Sequence, residues 1–213
     1  MTPTFHNIEQ RTPEWDALRA GKLTASMGKK LVTPTGKASI QYRAEIARII
    51  AESMGLQKPE PIKPTYWMER GVNLEPQAKA WFEIETDLDV EEIGFVSDES
   101  GLVGASPDGM IEVHDDSQID HVPYVPLELK CPKPSTHIQW LIDGGMPKDH
   151  IAQVHFQIAL CAAPYGYFCS YNPDVEPLIL RIDRNDYTEL MEKGIEAYKA
   201  EFTEAMKKIK GEA

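Results

Sequence analysis

The chain has 213 residues, enough to bury a sizeable core, and reads as a single domain over 1–213. With 42% hydrophobic and 26% charged residues it has a globular composition, and no apolar run approaches the roughly 18 residues that a membrane span requires. A net charge of −12 argues against a protein that coats nucleic acid indiscriminately. The charge is uneven, however. Arg11, Arg19, Lys22, Lys29, Lys30 and Lys37 outweigh Glu14 and Asp16 near the N-terminus, while the rest of the chain is acidic. Such a segment is either a solvated basic helix surface or a localised anion site. Cys131, Cys161 and Cys169 are odd in number and lack a C-x-x-C spacing, which predicts free thiols in a reducing cytoplasm. Met1 to His6 shows no basic-then-apolar leader, in keeping with a cytoplasmic location.

In chain order, Thr12-Pro13 predicts a helix start, with Thr12 as N-cap and the helix running to Ala20 before Gly21. Trp15 and Leu18 lie on its packing face beside Arg19. A second short helix is expected to run to Val32 with Ser26 as N-cap. A helix N-terminus with a free hydroxyl and a nearby arginine also suits a phosphate. Ser39 to Met54 has near-helical apolar spacing and stops at Gly55. Lys58 to Pro64, with three prolines, reads as an extended connector. Thr65 to Thr86 is the next helix, with Gly71, Leu74, Ala78, Trp81 and Phe82 on its buried stripe. Pro76 predicts a kink or break beside Glu75. Val90 to Val96 reads as an edge strand leading into the central sheet.

Leu102 to Ser106 and Met110 to Val113 predict strands either side of the Pro107-Asp108-Gly109 bend. The polar stretch Val113 to Asp120 has the look of a hairpin loop, and Pro126 to Lys130 predicts a third strand, stopped by Pro132. Side chains alternate along that strand, so Leu127 and Leu129 point one way and Glu128 and Lys130 the other. Ser135 to Ile142 is a short helix ended by Gly144-Gly145. His150 to Ala163 is a periodic helix with Ile151, Val154, Ile158 and Cys161 toward the core. His150, Gln153 and Gln157 share another stripe, where long amides are either solvated or available to a substrate. Tyr165 to Tyr171 and Leu178 to Ile182 are strands, and Asn185 to Lys210 is a closing helix. The layout is an α/β domain with one central mixed β-sheet flanked by helices.

Pro-Asp-Gly is a common turn string, and a Glu-x-Lys pair on a strand is ordinarily a solvated face. Together with Glu75 they define a different object. Two carboxylates about 4 Å apart repel by roughly 4 kcal/mol at an effective dielectric of about 20, so Glu75, Asp108 and Glu128 would need a cation to meet. Oxygen-only ligation points to Mg²⁺ or Mn²⁺ rather than zinc. Two such ions stabilise the attacking and leaving oxygens of an in-line phosphoryl displacement. Lys130 would orient or help deprotonate the attacking water and stabilise the charge that develops.

The pair Pro107-Asp108 and Glu128-Leu129-Lys130 resembles the P-D…(D/E)-x-K nuclease signature. Five strings narrow it: Trp15 with Arg19 to Ser26, Gly71 to Glu75, Ala105 to Gly109, Leu127 to Pro132, and Ala152-Gln153-Val154. In that order, over Arg11 to Asp174, they resemble the phage lambda exonuclease family of recombination nucleases. The resemblance implies a PD-(D/E)xK, restriction-endonuclease-like core. It implies a 5′→3′ exonuclease that degrades one strand of linear double-stranded DNA and leaves 3′ overhangs for strand annealing. By resemblance, Asp108, Glu128 and the Leu129 carbonyl are metal ligands, Glu75 serves a second ion or its waters, and Lys130 is the catalytic lysine. Arg19 and Ser26 would hold the 5′-phosphate, with Ser106 near the DNA backbone and Gln153 near the scissile region. The family forms homotrimeric rings and works with a single-strand annealing protein in a bacterial host. His150 departs from the pattern, standing where the lambda enzyme has a tyrosine. Two other readings remain open: an endonuclease of restriction or junction-resolving type, and a DNA-end-binding module with a vestigial metal site.

Overall fold

The computed structural model describes residues 1–60, 63–112 and 124–212. The chain opens with strand β1 (Pro3–His6) and helix α1 (Pro13–Arg19), whose first turn is closed by Thr12: its hydroxyl accepts from the Trp15 N–H. Strand β2 (Leu23–Thr24) leads directly into a 3-10 helix, Ala25–Lys30. Ser26 lies inside that helix and Thr24 occupies the N-cap position, so the expected capping role of Ser26 does not hold. Helix α2 (Arg43–Ser53) starts later than the apolar spacing predicts, and Ile40 stays largely exposed. Helix α3 (Tyr66–Thr86) begins at a Thr65 cap and runs through Pro76 unbroken. Proline there removes one N–H and one helical hydrogen bond, a loss that the packing of Ala78 and Phe82 against the core outweighs.

Strands β3 (Val90–Glu91), β6 (Gly109–Glu112), β7 (Tyr124–Lys130), β8 (Tyr165–Asn172) and β9 (Val175–Asp183) form the central mixed sheet, in the order β3-β6-β7-β8-β9. Within this sheet, among the described residues, only β7 and β8 are parallel, and α4 (Pro134–Asp143) and α5 (Lys148–Leu160) form the crossover between them. A second sheet, absent from the sequence reading, joins β1, β4 (Phe95–Asp98), β5 (Val103–Ala105) and β2 in the order β1-β4-β5-β2. The predicted strand over Val90 to Val96 is therefore two strands in two sheets. The strands flanking Pro107-Asp108-Gly109 are not partners either. The bend carries the chain from the smaller sheet into the central one, which leaves Asp108 at the junction. The polar stretch from Val113 to Asp120 lies outside the described residues, although β6 and β7 on either side of it pair antiparallel.

Helix α6 (Asp186–Lys210) closes the fold from an Asn185–Thr188 capping box. His155 of α5 reaches into that box: Nδ1 is 2.8 Å from the Thr188 hydroxyl, and the imidazole lies 4.7 Å from the Tyr187 ring. Burial pushes the His155 pKa down to about 4. A neutral folded imidazole whose pKa lies below its unfolded value stabilises the protein above pH ~6.5, and this contribution is lost as pH falls toward 4. In urea titrations His155→Gln should make the acid-side fall in stability shallower by up to about 3 kcal/mol. An unchanged slope would show that this histidine does not couple to unfolding. Cys131, Cys161 and Cys169 are buried free thiols, as their spacing predicts.

Candidate active site

Strand β7 carries the site because both of its faces are covered. Leu127 and Leu129 are buried in the main core. Glu128, 1% exposed, lies under α5 rather than on an open face. A buried carboxylate is costly unless its oxygens are paired. Here Gln157 Nε2 donates to Oε2 at 2.6 Å, Gln153 Nε2 donates to Oε1, and the Lys130 ammonium also contacts Oε1. The stripe containing Gln153 and Gln157 was legible in the sequence. That it faces Glu128 follows only from the crossover that lays α5 on the sheet.

Asp108 is fixed by the β6–β7 ladder. Its N–H donates to the Leu127 carbonyl at 3.0 Å, and its Oδ2 accepts from the Leu129 N–H at 2.7 Å. Burial and the nearby Glu128 raise its pKa to about 6. Burial works against the charge on Lys130, but Glu128 and Asp108 outweigh it and hold the amine as ammonium. The Lys130 Nζ stands 3.2 Å from the Leu129 carbonyl oxygen and 3.7 Å from Asp108 Oδ2, and touches Glu128 Oε1. Three oxygens from three residues thus converge on one positive charge.

Glu75 is held differently. Burial pushes its carboxyl up, with Asp108 adding to the effect, against the pull of Arg11 and Lys130. Its direct partner is the Arg11 guanidinium, a contact that sequence reasoning missed because the two residues are far apart in the chain. Glu75, Asp108 and Leu129 line a cleft of about 630 Å³ together with Arg11, Gln10 and Lys79. Among the described residues no group of three His, Cys, Asp or Glu side chains is close enough together to hold an ion. The expected meeting of three carboxylates is thus not present: Glu75 is drawn to Arg11, and Lys130 sits between Asp108 and Glu128. The oxygens around Lys130 still pass a chemical test for a divalent ion. They are all hard donors, two are carboxylate oxygens, and they already converge on a cation.

The residues expected at the 5′-phosphate are arranged around the smaller sheet. Strands β2 and β5 run parallel with Thr24 opposite Gly104, so Ser26 and Ser106 follow the same end of the pair. Ser26 is exposed, with its Oγ 3.1 Å from the Thr24 hydroxyl. The Arg19 guanidinium lies 4.0 Å from the centre of the Trp15 ring. The Trp15 indole N–H donates to the Gly94 carbonyl at 2.9 Å and to Ser106 Oγ at 3.1 Å. The 3-10 helix is pressed onto α5 at Gly28, where a Cβ would lie 2.7 Å from the Ala152 carbonyl oxygen. His150 packs against Trp140 and Phe168, at 5.4 and 5.6 Å between ring centres. Burial, with Lys130 nearby, lowers its pKa to about 4, so it is neutral.

The model of the YqaJ-like viral recombinase domain matches residues 14–163, which include Arg19, Ser26, Glu75, Asp108, Glu128 and Lys130. The chain belongs to the YqaJ-like viral recombinase family. The family also accounts for the sequence resemblance to lambda-type recombination nucleases, and it gives the chain a nuclease role in the coarse sense. Among solved structures, this YqaJ-like chain is similar to an alkaline exonuclease from Laribacter hongkongensis, with a TM-score of 0.69 and 27% identity. The match covers 95% of this chain and 100% of that one, and the same enzyme in complex with dAMP matches equally well. A phage-related exonuclease from Haemophilus somnus 129PT shares the fold at a TM-score of 0.52 and 12% identity, over 87% of this chain and 96% of that one. No curated protein matches. No helix among the described residues is long and apolar enough to cross a membrane.

Proposed function

We propose that this YqaJ-like domain is a divalent-metal-dependent 5′→3′ exonuclease that degrades one strand of linear duplex DNA, leaving a 3′ overhang for strand annealing. The observation that carries this reading is the convergence of Asp108 Oδ2, Glu128 Oε1 and the Leu129 carbonyl on the Lys130 ammonium. Those oxygens would hold Mg²⁺ or Mn²⁺, and Glu75 would serve a second ion or its waters. The ions supply Lewis acidity and activate water when bound. The protein does the rest. Gln153 and Gln157 hold Glu128 in place, so its carboxylate needs little reorganisation. Lys130 orients the attacking water and stabilises charge developing on the phosphate. Arg19 and Ser26 hold the terminal 5′-phosphate, and Ser106 borders the DNA backbone. We extend the proposal to a homotrimeric ring around the duplex and to a single-strand annealing protein as partner, on the strength of the family resemblance.

Incubating linear and closed circular duplexes with and without Mg²⁺ tests the reading. Loss of the linear form alone, and only with Mg²⁺, is expected. Equal digestion of the closed circle would make the protein an endonuclease, and end binding without cleavage would make it a binding module. Arg19→Ala should slow degradation of 5′-phosphorylated ends by about tenfold or more, and leave 5′-hydroxyl ends far less affected, because it removes a charge-assisted hydrogen bond. Equal slowing on both ends would remove Arg19 from phosphate recognition.

A further inference from the structure

Among the described residues Arg11 is one of three non-glycine residues with a positive φ, at 66°, a conformation that costs an L-residue energy. The segment that carries it is pinned on both sides. Gln10 Nε2 donates to the Pro107 carbonyl at 2.8 Å, next to Asp108. The Thr12 hydroxyl donates to the Glu9 carbonyl at 2.9 Å and caps α1. From this pinned segment the Arg11 side chain meets Glu75 within the cleft lining. The guanidinium side chain is 49% exposed, and one of its five donors makes the Glu75 contact. Beside apolar residues such as Ile8, Val72 and Ile93, the cleft lining carries the further acids Glu9, Glu83 and Glu92, and the second cation among its described residues, Lys79, is engaged by Glu92 at 3.1 Å. An anionic strand entering this cleft would meet Arg11 as the cation with donors to spare.

We infer that Arg11 serves two partners in turn: it neutralises Glu75 in the metal-free protein, and it turns to a backbone phosphate of the DNA strand once divalent ions take Glu75. The inference rests on the metal-dependent nuclease reading above. It predicts opposite effects on two binding events. Removing the guanidinium frees Glu75 and takes away a positive charge that repels incoming ions, so metal should bind more tightly. The same change removes a phosphate contact, so DNA should bind more weakly. A purely structural arginine would weaken both.

Arg11→Gly is the natural variant, because glycine occupies positive φ without strain. Arg11→Asn, which also tolerates this conformation, is the second. Thermal melts across a Mn²⁺ series, without DNA, should show the half-saturating concentration falling by about threefold in both variants. The gain is small because half-exposed ion pairs contribute little. On 5′-phosphorylated linear duplex with saturating Mg²⁺, KM should rise by about tenfold, with a smaller change in kcat. Weaker or unchanged Mn²⁺ binding, or an unchanged KM, overturns the inference while leaving the nuclease reading intact. Wild-type protein whose melting ignores Mn²⁺ and Mg²⁺ would overturn both.

Discussion

Lys130→Met and Asp108→Asn are each expected to lower the rate of duplex degradation by roughly a thousandfold or more while the protein stays folded. Lys130 is the positive charge on which Asp108, Glu128 and the Leu129 carbonyl converge, and methionine matches its length without its charge. The variant leaves Glu128 buried with only its amide donors, so it should also be less stable without metal and gain more from added Mg²⁺ than wild type. Asparagine at 108 can still accept from the Leu129 N–H through its side-chain oxygen, so the bend should survive while one anionic oxygen of the proposed metal site is lost. Single-turnover degradation of a 5′-phosphorylated linear duplex, read beside circular dichroism, measures both effects. Retention of more than about a tenth of wild-type rate by a folded variant would remove that residue from the chemistry.

Gly94→Ala is expected to have the largest effect on stability, a loss of at least about 3 kcal/mol. A Cβ at this position would lie 1.8 Å from the Ile8 carbonyl oxygen and 2.8 Å from its carbon. Both atoms belong to backbone, so relief requires moving the Asn7 to Arg11 segment as a unit. That segment carries the Gln10 contact to Pro107 and the Arg11 contact to Glu75. Gly94 also supplies the carbonyl that receives the Trp15 indole N–H. Urea unfolding should show the loss, and Gly145→Ala is the control. The nearest atom to a Cβ there is 3.9 Å away and φ is not positive, so a change within about 0.5 kcal/mol is expected. Equal effects at the two glycines would mean that the close approach at Ile8 relaxes freely.

What the sequence revealed, and what it withheld, divides along the range of the interaction. Thr12 acts on the Trp15 N–H three residues away, so its cap is visible in a short string. The Glu128-Leu129-Lys130 alternation is likewise local and survives in β7. The split of Val90 to Val96 between two sheets is not local. Val90 pairs with Ile111 and Phe95 pairs with His6, and no periodicity within seven residues records partners so distant. The same holds for Arg11 on Glu75 and Gln157 on Glu128, where a charge or an amide on a helix or loop says nothing about which distant group it meets. Pro76 failed as a helix breaker because its local cost competes with the burial of Ala78 and Phe82, which is decided by tertiary packing.

Helix α5 touches both ends of the proposed substrate path. Through Gln153 and Gln157 it grips Glu128, and through Ala152 it bears directly on Gly28, two residues beyond Ser26. On the proposed reading, the terminus of the strand and the bond to be cut are gauged against a single rigid rod. The length of each bite would then be a property of helix packing, and a bulkier residue at position 28 would blur the product sizes before it stopped the cutting.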